Sequence, residues 1–155
     1  MASLKQLEPS ARIAQLQSLA NDPAAAAQVA TDLIECVADD NEEVRNWATE
    51  ALENLSEPSA ADAAKIAKLV SSPTDDSAFW ALKLLGRLGE EALAQESLIA
   101  AALSESRALA VRQNAAWALG KIGKLSSDTC SKLTQAASAG DARLTQLANQ
   151  ALSNN

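Results

Sequence analysis

The sequence predicts an all-α protein built from stacked pairs of helices, and three observations lead to this prediction. The chain repeats itself, since Leu52 recurs as Leu85, Leu119 and Leu152 at offsets of 33, 34 and 33 residues. Within each repeat, apolar residues recur at the spacing of one helix face. The chain is also rich in alanine, the best helix former, and has only five glycines and four prolines. Self-similarity at such a period is typical of an α-solenoid.

The composition indicates a globular chain with an excess of acidic residues. Hydrophobic residues make up 48 % and charged residues 21 %, and 155 residues suffice to bury one domain core. The net charge of −7 disfavours binding to nucleic acids and to anionic membranes. Because the N-terminus lacks the apolar core of a signal peptide and no long apolar run follows, we expect a cytoplasmic protein.

The two cysteines, Cys36 and Cys130, fall in the first and the fourth repeat. Packed helices lie roughly 8–10 Å apart, so three steps along the stack exceed the ~7 Å between Cα atoms that a disulfide tolerates. We therefore expect two free thiols, each in a core position, since free cysteine behaves as a small buried hydrophobe.

Each repeat contains two helices, because two separate apolar registers recur. The first register holds Leu33, Ile66, Ile99 and Leu133, and the second begins at Val44, Ser77, Val111 and Leu144. The two registers lie 11 residues apart, except in the third repeat, where they lie 12 apart. The extra residue falls in the turn at 104–109, where an insertion is tolerated.

These registers, together with the prolines and glycines between them, define the elements in order. A segment over 1–20 contains an amphipathic helix at 9–20, which is expected to cap the first repeat. Four repeats follow over 23–55, 59–88, 91–122 and 127–152, with helices at 23–37 and 42–55, 59–70 and 76–88, 91–103 and 109–122, and 127–137 and 142–152. Polar residues of the last helix, among them Arg143 and Gln146, would solvate the far end. We expect a single domain over 1–155 that holds the complete array.

Local signals support these boundaries. Asn41 and Asp141 stand three residues before Val44 and Leu144, where their side chains are suited to N-capping. Gly89 and Gly123 follow the ends of their helices, where a residue with positive φ is expected.

Two segments identify a family resemblance. The sequence Val-Arg-Gln-Asn-Ala-Ala-Trp-Ala-Leu-Gly-Lys-Ile-Gly at 111–123 resembles the second helix of a HEAT repeat, and 41–52 is a second good copy. The similarity is greatest to the short HEAT-like repeats of phycobilisome lyases and covers about residues 29–152. Repeats two and four depart from it, with Ser77-Ala78 and Leu144-Thr145 in place of Val-Arg.

The resemblance implies a right-handed α-solenoid of about four two-helix HEAT-like repeats that serves as a scaffold and binds proteins. It also implies a ladder of aspartate and arginine side chains along the stack. Asp39 and Arg45 would form one rung in the first repeat, whereas Ser106 ahead of Arg112 breaks the ladder in the third.

The sequence offers little for catalysis. It has no histidine, no glycine-rich phosphate loop and no Cys-x-x-Cys motif, so we expect no catalytic residue, no metal site and no cofactor. Paired carboxylates such as Asp75 and Asp76 lie at helix starts or in turns, where they complement the helix dipole.

The tryptophans and nearby cations indicate a binding surface. Trp47 and Trp80 share a register on the flank of the second helices, and neighbouring positions hold further polar, aromatic and basic residues. By resemblance to HEAT-like arrays, these positions face the concave surface, and aromatic and cationic residues dominate binding hot spots. The candidate partner-binding residues are Trp47, Trp80, Lys83, Arg87, Asn114, Trp117 and Lys121. Burial between repeats is the alternative for Trp47 and Trp80, whereas Trp117 points furthest outward.

The leading functional hypothesis is a non-catalytic, monomeric scaffold that binds a protein or peptide, such as an acidic segment, on the concave face of the second helices. Three alternatives remain. They are a chromophore-lyase-like enzyme, a DNA-repair enzyme that resembles HEAT-like alkylpurine glycosylases, and a structural module that self-associates.

Overall fold

The computed structural model describes residues 3–155, and every regular element in that range is helical. It contains ten α-helices, which are α1 Pro9–Ala20, α2 Pro23–Gln28, α3 Ala30–Cys36, α4 Glu42–Asn54, α5 Ala63–Leu69, α6 Asp75–Leu88, α7 Glu96–Ala101, α8 Leu109–Lys121, α9 Ser127–Ala137 and α10 Ala142–Ser153. Short 3₁₀ segments lie at Leu4–Gln6, Ala60–Asp62 and Gly89–Gln95. Between residues 3 and 155, no helix is both long and apolar enough to cross a membrane.

The predicted all-α class is confirmed, and most helices begin and end within one or two residues of their predicted bounds. Three predicted helices differ. The helices predicted at 59–70 and 91–103 begin later, at Ala63 and Glu96, each after a 3₁₀ segment. The helix predicted at 23–37 is divided into α2 and α3 at Val29. There the backbone leaves the helical region, with φ −121° and ψ 24°, and the Val29 N–H bonds to the Ala26 carbonyl in a tighter turn. If α2 and α3 count as one interrupted element, the described residues hold nine helices, as the repeat pattern predicts.

The chain divides into two compact units, and the first contains described residues 3–62. In this unit α4 packs against both α1 and α3. Leu16, Leu33 and Leu52 come from these three helices and are fully buried, so they form the centre of the first core. The Asp32 carboxylate accepts a hydrogen bond of 3.0 Å from the Leu4 N–H, which fastens the N-terminal segment to α3.

The second unit, residues 63–155, contains three consecutive helix pairs. The second helices form one layer, in which α8 packs against both α6 and α10. The first helices pack beside their own partners, α5 on α6, α7 on α8 and α9 on α10. Ala81, Ala115 and Ala148 are fully buried in the layer of second helices, as are Leu85 and Leu119. The registers identified in the sequence are therefore the core of this unit.

The predicted caps are confirmed. Asn41 Oδ1 accepts hydrogen bonds from the backbone of Glu43 at 2.9 Å and of Val44 at 3.3 Å. Asp141 Oδ1 accepts from the Leu144 N–H at 2.7 Å. Both Gly89 and Gly123 have positive φ, at 59° and 102°. These interactions satisfy backbone groups that helix ends leave unpaired.

The Asp39–Arg45 rung differs from the prediction. Arg45 Nη1 donates to the carbonyl oxygens of Asp39 and Asp40, at 2.8 and 2.9 Å. The Asp39 carboxylate instead pairs with Arg12 of α1. The arginine therefore holds the turn through its main chain, and the aspartate side chain is free to bind the opening helix.

Both thiols are free, as predicted, but only one lies in the core. Cys36 is fully buried, so its predicted core position is confirmed. Cys130 lies in the first turn of α9 and is only partly buried, so its predicted core position is wrong. There Asn155 Nδ2 donates to the Cys130 sulfur at 3.2 Å, and the C-terminal residue covers part of the thiol.

We expect Leu85→Ala to lower the free energy of unfolding by about 2–5 kcal/mol, because it deletes a fully buried side chain from a packed core. Leu93→Ala is the matched control, since Leu93 is 40 % exposed and the same atoms are removed. Its expected loss is within roughly 0.5 kcal/mol. Urea denaturation of both variants would measure the difference, and equal losses would contradict the register assigned to Leu85.

The two thiols should also differ in reactivity. Burial raises the pKa of the Cys36 thiol to about 11, so it stays protonated at neutral pH. We expect iodoacetamide to alkylate Cys130 in the folded protein and to reach Cys36 only after denaturation. Mass spectrometry of tryptic peptides would measure both rates, and comparable alkylation of the two residues in the folded state would show that Cys36 is accessible.

Candidate functional site

A groove of about 390 Å³ crosses the second helices of the second unit. Each of α6, α8 and α10 contributes side chains from one face, and the lining residues are Phe79, Lys83, Ala110, Gln113, Asn114, Trp117, Arg143 and Leu147. Three residues predicted from the sequence, Lys83, Asn114 and Trp117, are brought together there. The groove combines apolar, amide and basic side chains, and none of its lining residues is acidic.

Trp117 is a half-buried residue of the groove lining, and its ring lies against a glycine of the preceding repeat. A Cβ atom built on Gly86 would lie only 2.8 Å from Cε3 and 2.9 Å from Cη2 of the indole. The ring therefore rests directly on the backbone of α6. Trp117 and Leu147 also line a second, smaller cavity of about 70 Å³, so the indole borders two cavities.

Two aromatic rings position the ammonium group of Lys83. Its Nζ atom lies 4.6 Å from the ring centroid of Trp80 and 5.9 Å from that of Phe79. The two rings meet edge to face, with centroids 5.7 Å apart and an interplanar angle of 81°. Such cation–π contacts attract the charge while leaving it available to a ligand.

Arg143 of α10 supplies the second positive charge of the groove and is exposed. Within residues 3–155, no carboxylate forms an ion pair with Lys83 or Arg143. Both charges are therefore available, and their sign is opposite to the net charge of −7 of the whole chain. The groove favours an anionic ligand on electrostatic grounds.

Gln113 connects the groove to the start of α10. Its Nε2 atom donates to Asp141 Oδ1 at 3.0 Å, and the same oxygen caps α10 through the Leu144 N–H. The hydrogen bond from Leu144 and, to a smaller extent, that from Gln113 hold the pKa of the Asp141 carboxyl below its usual value. Asp141 is therefore ionised at neutral pH, and it maintains the spacing between α8 and α10.

The remaining predicted site residues lie elsewhere. Trp80 is buried at 6 % exposure and supports Lys83 from beneath. Arg87 is half-buried outside the groove lining, and Lys121 is exposed at the edge of the smaller cavity. Trp47 is half-buried on α4 of the first unit.

Sequence reasoning missed Phe79 and Gln113 and assigned Arg143 only to solvation of the last helix. A signal for the first two is present, because Phe79 and Gln113 lie 34 residues apart, the offset between repeats two and three. They occupy the register one position before Trp80 and Asn114.

Stacked helix pairs with a groove along the second helices define this protein as an α-helical repeat protein. A family model described as HEAT repeats matches residues 63–153, so the chain belongs to the HEAT repeat family. This match does not single out the phycobilisome-lyase type of repeat, which stays a prediction. No curated protein sequence matches the chain.

Solved structures of similar fold include designed repeat proteins. A designed armadillo repeat protein in complex with the peptide (KR)4 has a TM-score of 0.62 at 15 % identity, over 98 % of this chain and 78 % of that one. The structure of computationally designed armadillo repeat proteins for modular peptide recognition has a TM-score of 0.63 at 15 % sequence identity, and the match covers 98 % of this chain and 79 % of that one. An engineered protein has a TM-score of 0.64 at 18 % sequence identity, and the match covers 98 % of this chain and 77 % of that one. At these identities the similarity establishes the fold.

We expect Gly86→Ala to displace the indole of Trp117, because the new methyl group and the ring would occupy the same space. Overpacking of this kind lowers stability by about 1–3 kcal/mol, and the displaced ring should change the tryptophan emission maximum. Gly120→Ala is the matched control, since its Cβ would meet Ala151 at an ordinary contact distance, 3.4 Å or more. Thermal unfolding and fluorescence of both variants would test this, and equal effects would show that Trp117 does not need Gly86.

Proposed function

We propose that this chain is a non-catalytic scaffold that binds a protein or peptide in the groove of α6, α8 and α10. The observation that carries the proposal is the lining of this groove, which contains Trp117 and two cations without an acidic partner, Lys83 and Arg143, and no carboxylate. Aromatic and basic side chains gathered in one concave site are the typical composition of a binding hot spot. Amide and aliphatic side chains complete the lining, which suits recognition rather than acid–base chemistry.

The occupant that fits this groove is an acidic segment with a large apolar side chain. Lys83 and Arg143 would pair with its carboxylates, while the apolar side chain would pack on Trp117 and Leu147. The groove is preorganised, because the indole of Trp117 packs against Gly86 and the ammonium group of Lys83 contacts two aromatic rings. Preorganisation lowers the entropy lost on binding.

The solved structures of similar fold support a peptide as the ligand. One of them, the designed armadillo repeat protein, is in complex with the basic peptide (KR)4. The groove of the present chain is itself basic, through Lys83 and Arg143, and would therefore select an acidic sequence instead. We infer that the chain acts as a monomer with one such groove, and that Lys121, at the adjacent small cavity, adds to the positive potential along the ligand.

The test is binding of a fluorescently labelled, alternating Glu–Leu peptide, followed by anisotropy. We expect saturable binding that weakens at least about tenfold in Trp117→Ala, as for a central aromatic anchor. Lys83→Gln should weaken binding as well and should reduce its salt dependence, because one charge pair is lost. Lys68→Gln is the control, since it removes the same charge from an exposed position on α5, outside the groove.

Two further peptides define the ligand chemistry. An alternating Lys–Leu peptide should bind far more weakly, because its charges repel Lys83 and Arg143. An alternating Glu–Gly peptide lacks the apolar anchor, so its affinity should lie between those of the Glu–Leu and Lys–Leu peptides. Equal binding of the Glu–Leu and Lys–Leu peptides, or an undiminished affinity of Trp117→Ala, would contradict the proposal.

A further inference from the structure

A separate cavity of about 340 Å³ lies in the second unit, bordered by α7, the turn that follows it, the first turn of α8, and α9. Its polar lining residues are Ser104, Glu105, Arg112, Lys132 and Gln135, and its other lining residues are alanines and one leucine. None of these residues lines the groove of the second helices. Its volume is within the range of roughly 300–1,000 Å³ that is typical of small-molecule sites.

Arg112 is the unusual residue of this cavity. Its side chain is half-buried, and its Nε atom is buried without any hydrogen-bond partner. Within the described chain its guanidinium forms no ion pair. The hydrogen bonds from Leu144 and Gln113 are the main causes of the lowered pKa of the Asp141 carboxyl, and the charge of Arg112 contributes after them. Buried polar groups of proteins are nearly always paired, so the buried Nε–H of Arg112 at the cavity points to a missing acceptor.

The corresponding arginine of the first repeat shows what Arg112 lacks. Arg45 occupies the same register and donates to the carbonyl oxygens of Asp39 and Asp40. The turn ahead of Arg112 has one more residue, and its polar groups bond to each other. The hydroxyl groups of Ser104 and Ser106 form a hydrogen bond of 2.9 Å, and the Arg107 N–H donates to the Ser104 carbonyl oxygen at 3.0 Å. Unlike Arg45, Arg112 has no hydrogen bond from its buried Nε atom to a carbonyl oxygen of the turn before it.

From these observations we infer that the cavity is a binding site for a small oxyanion, either a carboxylate or a phosphate group, held by Arg112 and Lys132. A guanidinium presents a fixed fork of N–H donors that matches both groups. Lys132 supplies a second cation, and its partner in the chain is Asp128, at 2.8 Å in an exposed pair within one helix. Such pairs are weak, so the ammonium group is available to a ligand.

Glu105 limits the affinity of this site for anions. Its carboxylate lies in the cavity lining and is exposed, so it opposes an incoming anion. Removal of this charge should therefore strengthen anion binding, whereas removal of Arg112 should abolish most of it. A merely structural role of Arg112 would not produce this opposite response.

The experiment is an NMR titration of the ¹⁵N-labelled full chain with inorganic phosphate and, separately, with succinate. The Nε–H resonance of Arg112 reports contact in the wild type, and the amide resonances of Ser104 and Glu105 report binding in every variant. We expect saturable shifts with at least one anion in the millimolar range. Affinity should fall at least about tenfold in Arg112→Gln and rise about two- to fivefold in Glu105→Gln.

Two further variants separate a site from general charge effects. Arg112→Lys keeps the charge without the fork and should bind more weakly than the wild type. Lys124→Gln removes a charge beyond the far end of α8 and should bind as the wild type does. Circular dichroism would verify that each variant is folded. Absence of saturable shifts with both anions, unchanged affinity in Arg112→Gln, or an equal loss in Lys124→Gln would overturn the inference, while the relative affinities of phosphate and succinate identify the preferred group.

Discussion

The close contact between consecutive second helices is the constraint on which the second unit depends. Small residues are fully buried in this layer, as at Ala81 and Ala115, beside larger ones such as Leu85 and Leu119. At Gly120 even an added Cβ would be in contact with the backbone of Ala151, at 3.4 Å. Helices can approach this closely only where small residues lie between them, and larger ones would widen the spacing and alter the groove.

The same constraint produces the chemistry of the groove. Two aromatic side chains, Trp117 and Phe79, line one depression along these helices. Gly86 allows the ring of Trp117 to lie on the backbone of the preceding repeat. The basic residues Lys83 and Arg143 then border a concave aromatic surface. Two positive charges without an acidic partner thereby border this depression on an acidic chain, which favours an anionic ligand there.

Most of the fold could be predicted from the sequence, because the repeated registers of leucine and alanine specify both the helices and the side that is buried. The division at Val29 could not, since it depends on a local turn within an apolar run. Trp80 and Trp117 lie in adjacent registers on the flank, and periodicity alone does not tell which of them is buried. Their exposure depends on side chains of other registers, because Lys83 lies over Trp80 and the space above Gly86 receives Trp117.

Helix α8 shows how one element of a repeat carries several roles at once. Val111 and Leu119 fix its orientation, since both are fully buried. With that face fixed, Trp117 is directed to the groove and Arg112 to the other cavity, because residues at different helical angles must face different surroundings. The turn before α8 is one residue longer than the turn before α4, and Arg112 lacks the carbonyl partners of Arg45, while the buried face of the helix is kept. A change in the length of a turn can therefore create a ligand site in a repeat. The buried residues of that repeat, and its packing against its neighbours, stay the same.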